Sequence, residues 1–352
     1  MLAYSLALFA DKHLELGAAL LAYHLYGSSL WALVLTGLTF QVCKVMTSLI
    51  RVPPSPWSAL IGTVAAVALL ETAGPSLHQF LLGTALFTAA VSSLRAWARE
   101  AAADRSEGEP GTTVVRECVR AGGFVLAPLF SPLVVGGLVV VAVTAWARAA
   151  APGRPRPVRV RCTIVGALAP NHVAMFLHHV HYFAYSHLVP LIFATAFGVP
   201  AAWQGLIFYI GWVGYDLHEF VRVSPSWRRV LLGHLVVGAG ILTLFWASSA
   251  TVAALGWLVT GIGGGTHAML RGLARSDDPA PADNVGVAED YGHVAGMLVL
   301  VGLLAASVPP AGIAVVAAVL AVASPVLALA YERRPRMARS ARLHSGPTVS
   351  HT

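Results

Sequence analysis

Arg148–Arg161 reads RAAAPGRPRPVRVR, five arginines and three prolines in a chain that is otherwise apolar for long runs. Charge at this density needs water. Proline removes a backbone donor and fixes φ, so neither a helix nor a sheet is expected to run through the stretch. On either side lies a block of similar length containing about six apolar runs of helix length. The stretch reads as a water-exposed connector between two halves. The chain divides accordingly into 1–148, the connector 149–162, a second half 163–332 and a basic polar tail 333–352.

Composition sets the solvent. Hydrophobic residues make up 57% of 352 and charged residues 11%, with a mean hydropathy of +0.72. A water-soluble domain needs more charge than this to cover its surface, so the balance points to a bilayer. The net charge of +7 does not indicate a nucleic-acid partner, because the bases fall in the gaps between apolar runs. Cys43, Cys118 and Cys162 are far apart and have neither metal nor disulfide spacing. The first run lacks a basic leader and a small-residue cleavage site, so no removable signal peptide is expected. Arginine far outnumbers lysine, and Ala, Gly, Val and Leu dominate. That composition is associated with GC-rich bacterial genomes and places the chain in a bacterial plasma membrane.

Working outward from the connector, helices are expected at 3–25, 29–50, 56–73, 76–97, 113–130 and 132–148. After it they are expected at 163–196, 201–221, 228–247, 250–271, 286–308 and 311–331. Charge tests this count. Of the 23 Lys and Arg residues, all but Lys12 lie in or beside alternate gaps. The gaps around Gly27, Gly74, Ser131, Pro200, Ser249 and Pro309 contain none. Cytosolic loops retain Lys and Arg while translocated loops lack them, so twelve spans with both termini cytosolic satisfy every gap. The expected fold is all-α: twelve transmembrane helices in two six-helix bundles.

Several strings resemble the major facilitator superfamily. Leu21–Trp31 (LAYHLYGSSLW) resembles the first outer turn of its drug and siderophore exporters. Gly214–Arg229 (GYDLHEFVRVSPSWRR) resembles its short cytosolic Gly–Asp–Arg–Arg loop. Gly261–Arg271 (GIGGGTHAMLR) and Ala288–Gly296 (AEDYGHVAG) resemble the glycine-rich tenth helix and the entry to the eleventh. Gln41–Trp57, where the loop should recur, lacks its Asp and glycines. The resemblance implies a secondary transporter with a substrate site between the halves, most simply a proton-coupled exporter of a small organic compound. Its partners would be that substrate, protons and lipid. A monomer with no cofactor and no bound metal is expected.

Three groups of residues are candidates for chemistry. Asp11, Lys12, His13 and Glu15 lie mid-run, where each charge costs at least ~2.5–3.5 kcal/mol on insertion scales and must face protein or water. Asp11 and Glu15 are one turn apart; two close carboxylates do not both ionise cheaply, so they are candidates for proton coupling. The same residues can instead fix packing through a Lys12 ion pair, or lie at the interface if the helix starts near His13. Asn171–His187 (NHVAMFLHHVHYFAYSH) is the second group. At 100° per residue His172, His179 and His187 share a face, with His178 and His181 roughly opposite. No pair has the i, i+4 spacing of a helical zinc motif. In the resembling family the seventh helix lines the cavity, so His172, His179 and His187 are substrate candidates, with His24, Gln41 and His267. Neutral histidines bonding neighbouring helices are the plain alternative, and a metal or metal chelate as cargo is another. The third group, Asp216 and Glu219 with Arg222 and Arg229, is the gate that the family loop implies; a solvated interfacial charge group explains it equally. Glu289, Asp290 and His293 need only the helix dipole. Gly261, Gly263, Gly264 and Gly265 permit close helix contact or a bend. An intramembrane histidine-ligated metalloenzyme or a non-transporting receptor would suit the same composition, but membrane diiron histidine boxes are absent and so many mid-membrane ionisable groups would lack a task.

Overall fold

The computed structural model describes residues 2–51, 56–72, 76–103, 110–149, 159–160, 170–220, 224–277 and 283–332. Six helices come before the connector: α1 (Leu2–Leu25), α2 (Leu30–Leu49), α3 (Pro56–Thr72), α4 (Leu77–Ala103), α5 (Pro110–Leu126) and α6 (Pro132–Ala149). After it come α7 (Pro170–Phe183), α8 (Val189–Phe197), α9 (Ala201–Phe220), α10 (Trp227–Phe245), α11 (Ala250–Gly264), α12 (Thr266–Asp277), α13 (Asp283–Ala305) and α14 (Pro310–Glu332). Two of the expected runs are each divided into two helices; the start expected for the seventh, 163–169, lies outside the described residues.

The seventh run is not one continuous helix. α7 stops at Phe183, a single 3-10 turn covers Ser186–Leu188, and α8 resumes at Val189 with Pro190 in its first turn. Pro190 has no N–H for the Ser186 carbonyl and its ring crowds the preceding turn, which explains the break. The tenth run divides at Gly265, where the Thr266 hydroxyl donates to the Gly263 carbonyl at 3.0 Å. The connector also departs from expectation. Arg159–Val160 forms a two-residue strand β2, antiparallel to β1 (Ile50–Arg51), with Ile50 opposite Val160 and Arg51 opposite Arg159. The last turn of α6 contains Arg148; the connector between it and β2 lies outside the described residues, as does the tail from 333.

Packing repeats between the two sets of helices although the sequences show no close repeat. In the first set α1 lies against α2, α4, α5 and α6, α2 against α4, and α3 against α4 and α6. Counting α7–α8 and α11–α12 as single rods, the second set repeats each pairing: α7 with α12, α13 and α14, α8 with α9, α9 with α11, and α10 with α11 and α14. The sets meet through α2 on α13 and α5 on α9. The second rod of each set thus meets the fifth of the other, as a two-fold relation requires.

The distribution of polarity is the reverse of a water-soluble protein. Leu138 and Leu232 are 67% and 62% exposed while Asp11 and Asp216 are 1% and 3% exposed. Leu235, Leu242, Val134, Val141, Val315 and Val319 continue the exposed aliphatic surface. A surface of this kind is satisfied by lipid rather than water. Leu30–Thr47, Leu77–Ala98, His172–Phe197, Trp227–Phe245, Val285–Ala305 and Pro310–Leu327 are long and apolar enough to cross a membrane. The chain is a multi-pass membrane protein.

Close helix contact is concentrated where the glycines are. A side chain at Gly261 would overlap the Gly211 carbonyl on α9, and one at Gly263 the Gly233 carbonyl on α10. Backbone cannot yield as a flexible side chain can, so Gly261→Ala should destabilise by about 1–3 kcal/mol, the usual range for overpacking. Thermal unfolding of the purified protein in detergent checks this; an unchanged midpoint would contradict the contact.

Candidate functional site

α1 carries its ionisable residues in the middle of a continuous helix, which rules out a start near His13. Asp11, Lys12, His13 and Glu15 are all buried. Each of the two carboxylates meets its own cation. Arg95 of α4 donates to Asp11, and Lys12 donates to Glu15 at 2.6 Å. The His13 ring lies 3.2 Å from the Gly123 carbonyl and 3.1 Å from the Phe130 carbonyl, tying α1 to the end of α5 and the turn beyond it.

Lys12 also faces the second set of helices. Its ammonium is 5.2 Å from the Trp212 ring of α9 and 5.5 Å from the Phe124 ring of α5. Arg120 of α5 approaches the same indole at 5.0 Å. The Arg120 guanidinium donates to both oxygens of Asp216 on α9 at 2.7 and 2.8 Å and is ion-paired with Glu117, 2.9 Å from its Oε2. Trp212 and Asp216 of one set therefore receive two cations from the other. Asp216, a gate candidate, has Arg120 as a partner; Arg222 and the Glu219 side chain lie outside the described residues. Arg229 is exposed and donates to the Ser224 carbonyl and hydroxyl at 2.6 Å, away from Asp216.

The histidines of α7 find partners on three other helices. His178 Nδ1 is 3.1 Å from His234 Nε2 on α10, and His179 Nδ1 is 2.9 Å from His293 Nε2 on α13. His267 Nε2 of α12 is 3.1 Å from Glu289 Oε1 on α13. Arg271 holds both oxygens of Glu289, with its Nε 2.6 Å from Oε1. Glu289 and His293 are thus more than dipole partners at a helix start, and His267 is part of an ion-paired group. Two sets have ligand atoms within 4.8 Å of one another: His178, His181 and His234, and His179, His267 and Glu289. The spacing within α7 offers no helical zinc motif, but packing with α10, α12 and α13 gathers two groups with the geometry to hold a metal ion.

His187 does not lie on the α7 face shared by His172 and His179, since the helix ends four residues earlier. It reaches the first set instead, packing against Gly37 of α2 at a point where Met297 of α13 also arrives. His172 is buried near the start of α7. His24 is exposed at the end of α1, its ring edge-on to that of Tyr23. Gln41, one turn from Gly37 on α2, is 0% exposed and neither polar atom of its amide has a hydrogen-bond partner. His179 Nε2, His187 Nδ1 and His293 Nδ1 are buried and unpartnered as well. Phe183 links them, its ring centroid lying 4.4 Å from that of His293 and 5.8 Å from that of His187. Orphaned buried donors and acceptors are costly, ~1–3 kcal/mol each, so a cluster of them asks for a reason.

The spacing of the α7 histidines and the position of Gln41 inside an apolar run were visible in the sequence. Arg95, Arg120 and Arg271 were not distinguishable from the loop-flanking bases that set orientation. His234 carried the weak signal of a lone polar residue in mid-run.

No family model matches the sequence, and no curated protein matches it. Solved structures do match in fold. The human organic anion transporter MFSD10 (TETRAN) aligns at a TM-score of 0.57 and 14% identity, over 93% of this chain and 98% of that one. A POT family transporter in complex with a thioalcohol-conjugated peptide aligns at 0.68 and 9% identity, over 94% and 95%. A bacterial homologue of the iron transporter ferroportin, in an outward-facing state, aligns at 0.61 and 14% identity, over 95% and 98%.

Proposed function

We propose that this chain, a divergent protein with the fold of the major facilitator superfamily transporters, is a secondary transporter that works by alternating access. It crosses a bacterial plasma membrane twelve times with both termini cytosolic, as two six-helix bundles joined by the basic connector, and acts as a monomer. Its task is transport rather than catalysis. The favoured cargo is a small organic compound exported against a proton gradient. The observation that carries the reading is the seam between the bundles, where Gln41, His179, His187 and His293 present unpartnered polar atoms. These groups suit a cargo with hydrogen-bonding groups, bound between α2, α7 and α13 near the break before α8. Discontinuous helices at mid-membrane are where such folds place their substrates.

Coupling follows from the ion pairs. Glu15 is the exchangeable carboxylate, with Asp11 held behind it by Arg95. A proton on Glu15 releases Lys12, whose charge faces Trp212 across the seam. Loading in one bundle thus changes the charge presented to the other, while Arg120–Asp216 latches the cytosolic side. A metal or metal chelate is the second reading of the cargo, favoured by His179, His267 and Glu289.

The test is reconstitution into liposomes that enclose a pH-sensitive dye, with organic cations, organic anions and divalent metal ions offered in turn. At least one class should elicit proton movement, and Glu15→Gln should abolish that movement while cargo binding persists. Proton movement undiminished in Glu15→Gln would remove the coupling assignment. A dye response to metal ions alone would select the second reading.

A further inference from the structure

We propose that His178 and His181 of α7 and His234 of α10, whose side chains meet between the two helices, form a transition-metal site resident in the protein rather than part of the transport path. The proposal stands apart from the transport reading, since it needs three imidazoles and no cargo. The three ring centroids form a nearly equilateral triangle, 5.0, 5.2 and 5.6 Å on its sides. All three residues are buried, at 2%, 1% and 0% exposure, and their ligand atoms lie within 4.8 Å of one another.

Hydrogen bonds already orient two of these rings as ligands. His234 Nδ1 lies 2.8 Å from the Val230 carbonyl, which can only accept, so that nitrogen carries the proton and Nε2 keeps its lone pair. His181 Nδ1 points in the same way at the Leu177 carbonyl, at 3.4 Å, and leaves its Nε2 as the donor atom. This is the arrangement that fixes the tautomer of metal-bound histidines elsewhere. His178 Nδ1, 3.1 Å from His234 Nε2, completes the set. Zinc–nitrogen bonds of about 2.0–2.1 Å place tetrahedral donors roughly 3.3 Å apart. Drawing the donors from within 4.8 Å to that spacing takes rotations of about an ångström, within reach of a χ2 adjustment. Three neutral imidazoles with an open fourth position suit zinc, cobalt or copper, the open position taking hydroxide or a small anion.

The neighbouring set is the weaker candidate. Glu289 would supply negative charge, but Arg271 already holds both of its oxygens. A dication there must displace or abut a guanidinium, whereas the three-histidine set contains no cation.

The experiment uses the full chain purified in detergent without a polyhistidine tag, stripped with a chelator and titrated with Co2+. The expected result is about one equivalent bound with the visible absorption of a tetrahedral nitrogen site, bleached by Zn2+, and a raised unfolding midpoint in Zn2+. His178→Asn and His234→Asn, checked for monodispersity, should each lose the absorption. His179→Asn, which removes the neighbouring set, and the exposed His78→Asn should retain it. A wild-type protein that shows neither absorption nor a raised midpoint overturns the proposal whatever the variants do. Absorption that survives in His234→Asn, or that is lost in His179→Asn alone, overturns it as well.

Discussion

Arg120→Ala should be the most damaging single substitution in this protein, costing about 3–5 kcal/mol, the range for removing one partner of a buried ion pair. Arg120 is ion-paired with Asp216 and, together with Arg116, with Glu117, and the Asp216 side chain is only 4% exposed. Without it Asp216 stays in a low-dielectric contact facing Trp212 with no positive charge in hydrogen-bond reach. The expected signs are a lowered unfolding midpoint in detergent and loss of transport in liposomes. Asp216→Asn, which keeps the shape and removes the charge, should recover part of the stability when combined with Arg120→Ala. The double mutant should therefore be more stable than Arg120→Ala alone. If the two substitutions add independently, Arg120 and Asp216 are not a coupled pair and the latch between α5 and α9 is misassigned.

Arg95→Leu is expected to follow closely, because Asp11 is the deeper carboxylate. Its side chain is 1% exposed and that of Arg95 29%. Deleting the cation should again cost about 3–5 kcal/mol, while Asp11→Asn in the same background should offset much of the loss. The two predictions differ in what transport does. Arg95 and Asp11 both belong to the first set of helices, so under the proposed coupling the Arg95→Leu/Asp11→Asn protein should regain stability and retain proton-linked movement through Glu15. The Arg120→Ala/Asp216→Asn protein should regain stability yet transport poorly, since the proposed latch between α5 and α9 is gone. Equal transport in the two double mutants would separate neither role and would sink the distinction drawn between them.

Hydropathy was enough to give an all-helical membrane protein and, in most runs, the helix boundaries to within a few residues. Those features are local and one-dimensional: lipid demands a continuous apolar run of set length, and the bases mark its ends. The same residues that made orientation legible hid the ion pairs. Arg95 and Arg120 look like any loop-flanking base until α1 and α9 bring Asp11 and Asp216 against them. The break at Pro190 also misdirected the periodicity argument, carrying His187 off the α7 face and onto α2. His178 and His181 were legible as a pair on α7, but their third member, His234, lies 53 residues beyond His181 on α10. What the sequence by itself determined was therefore the solvent, the apolar helices and the list of buried polar residues that needed partners. Which partner each received was decided only by tertiary packing, because a charge inside lipid is stabilised by whatever neighbouring helix supplies, and that neighbour is set by contacts between helices distant in the chain.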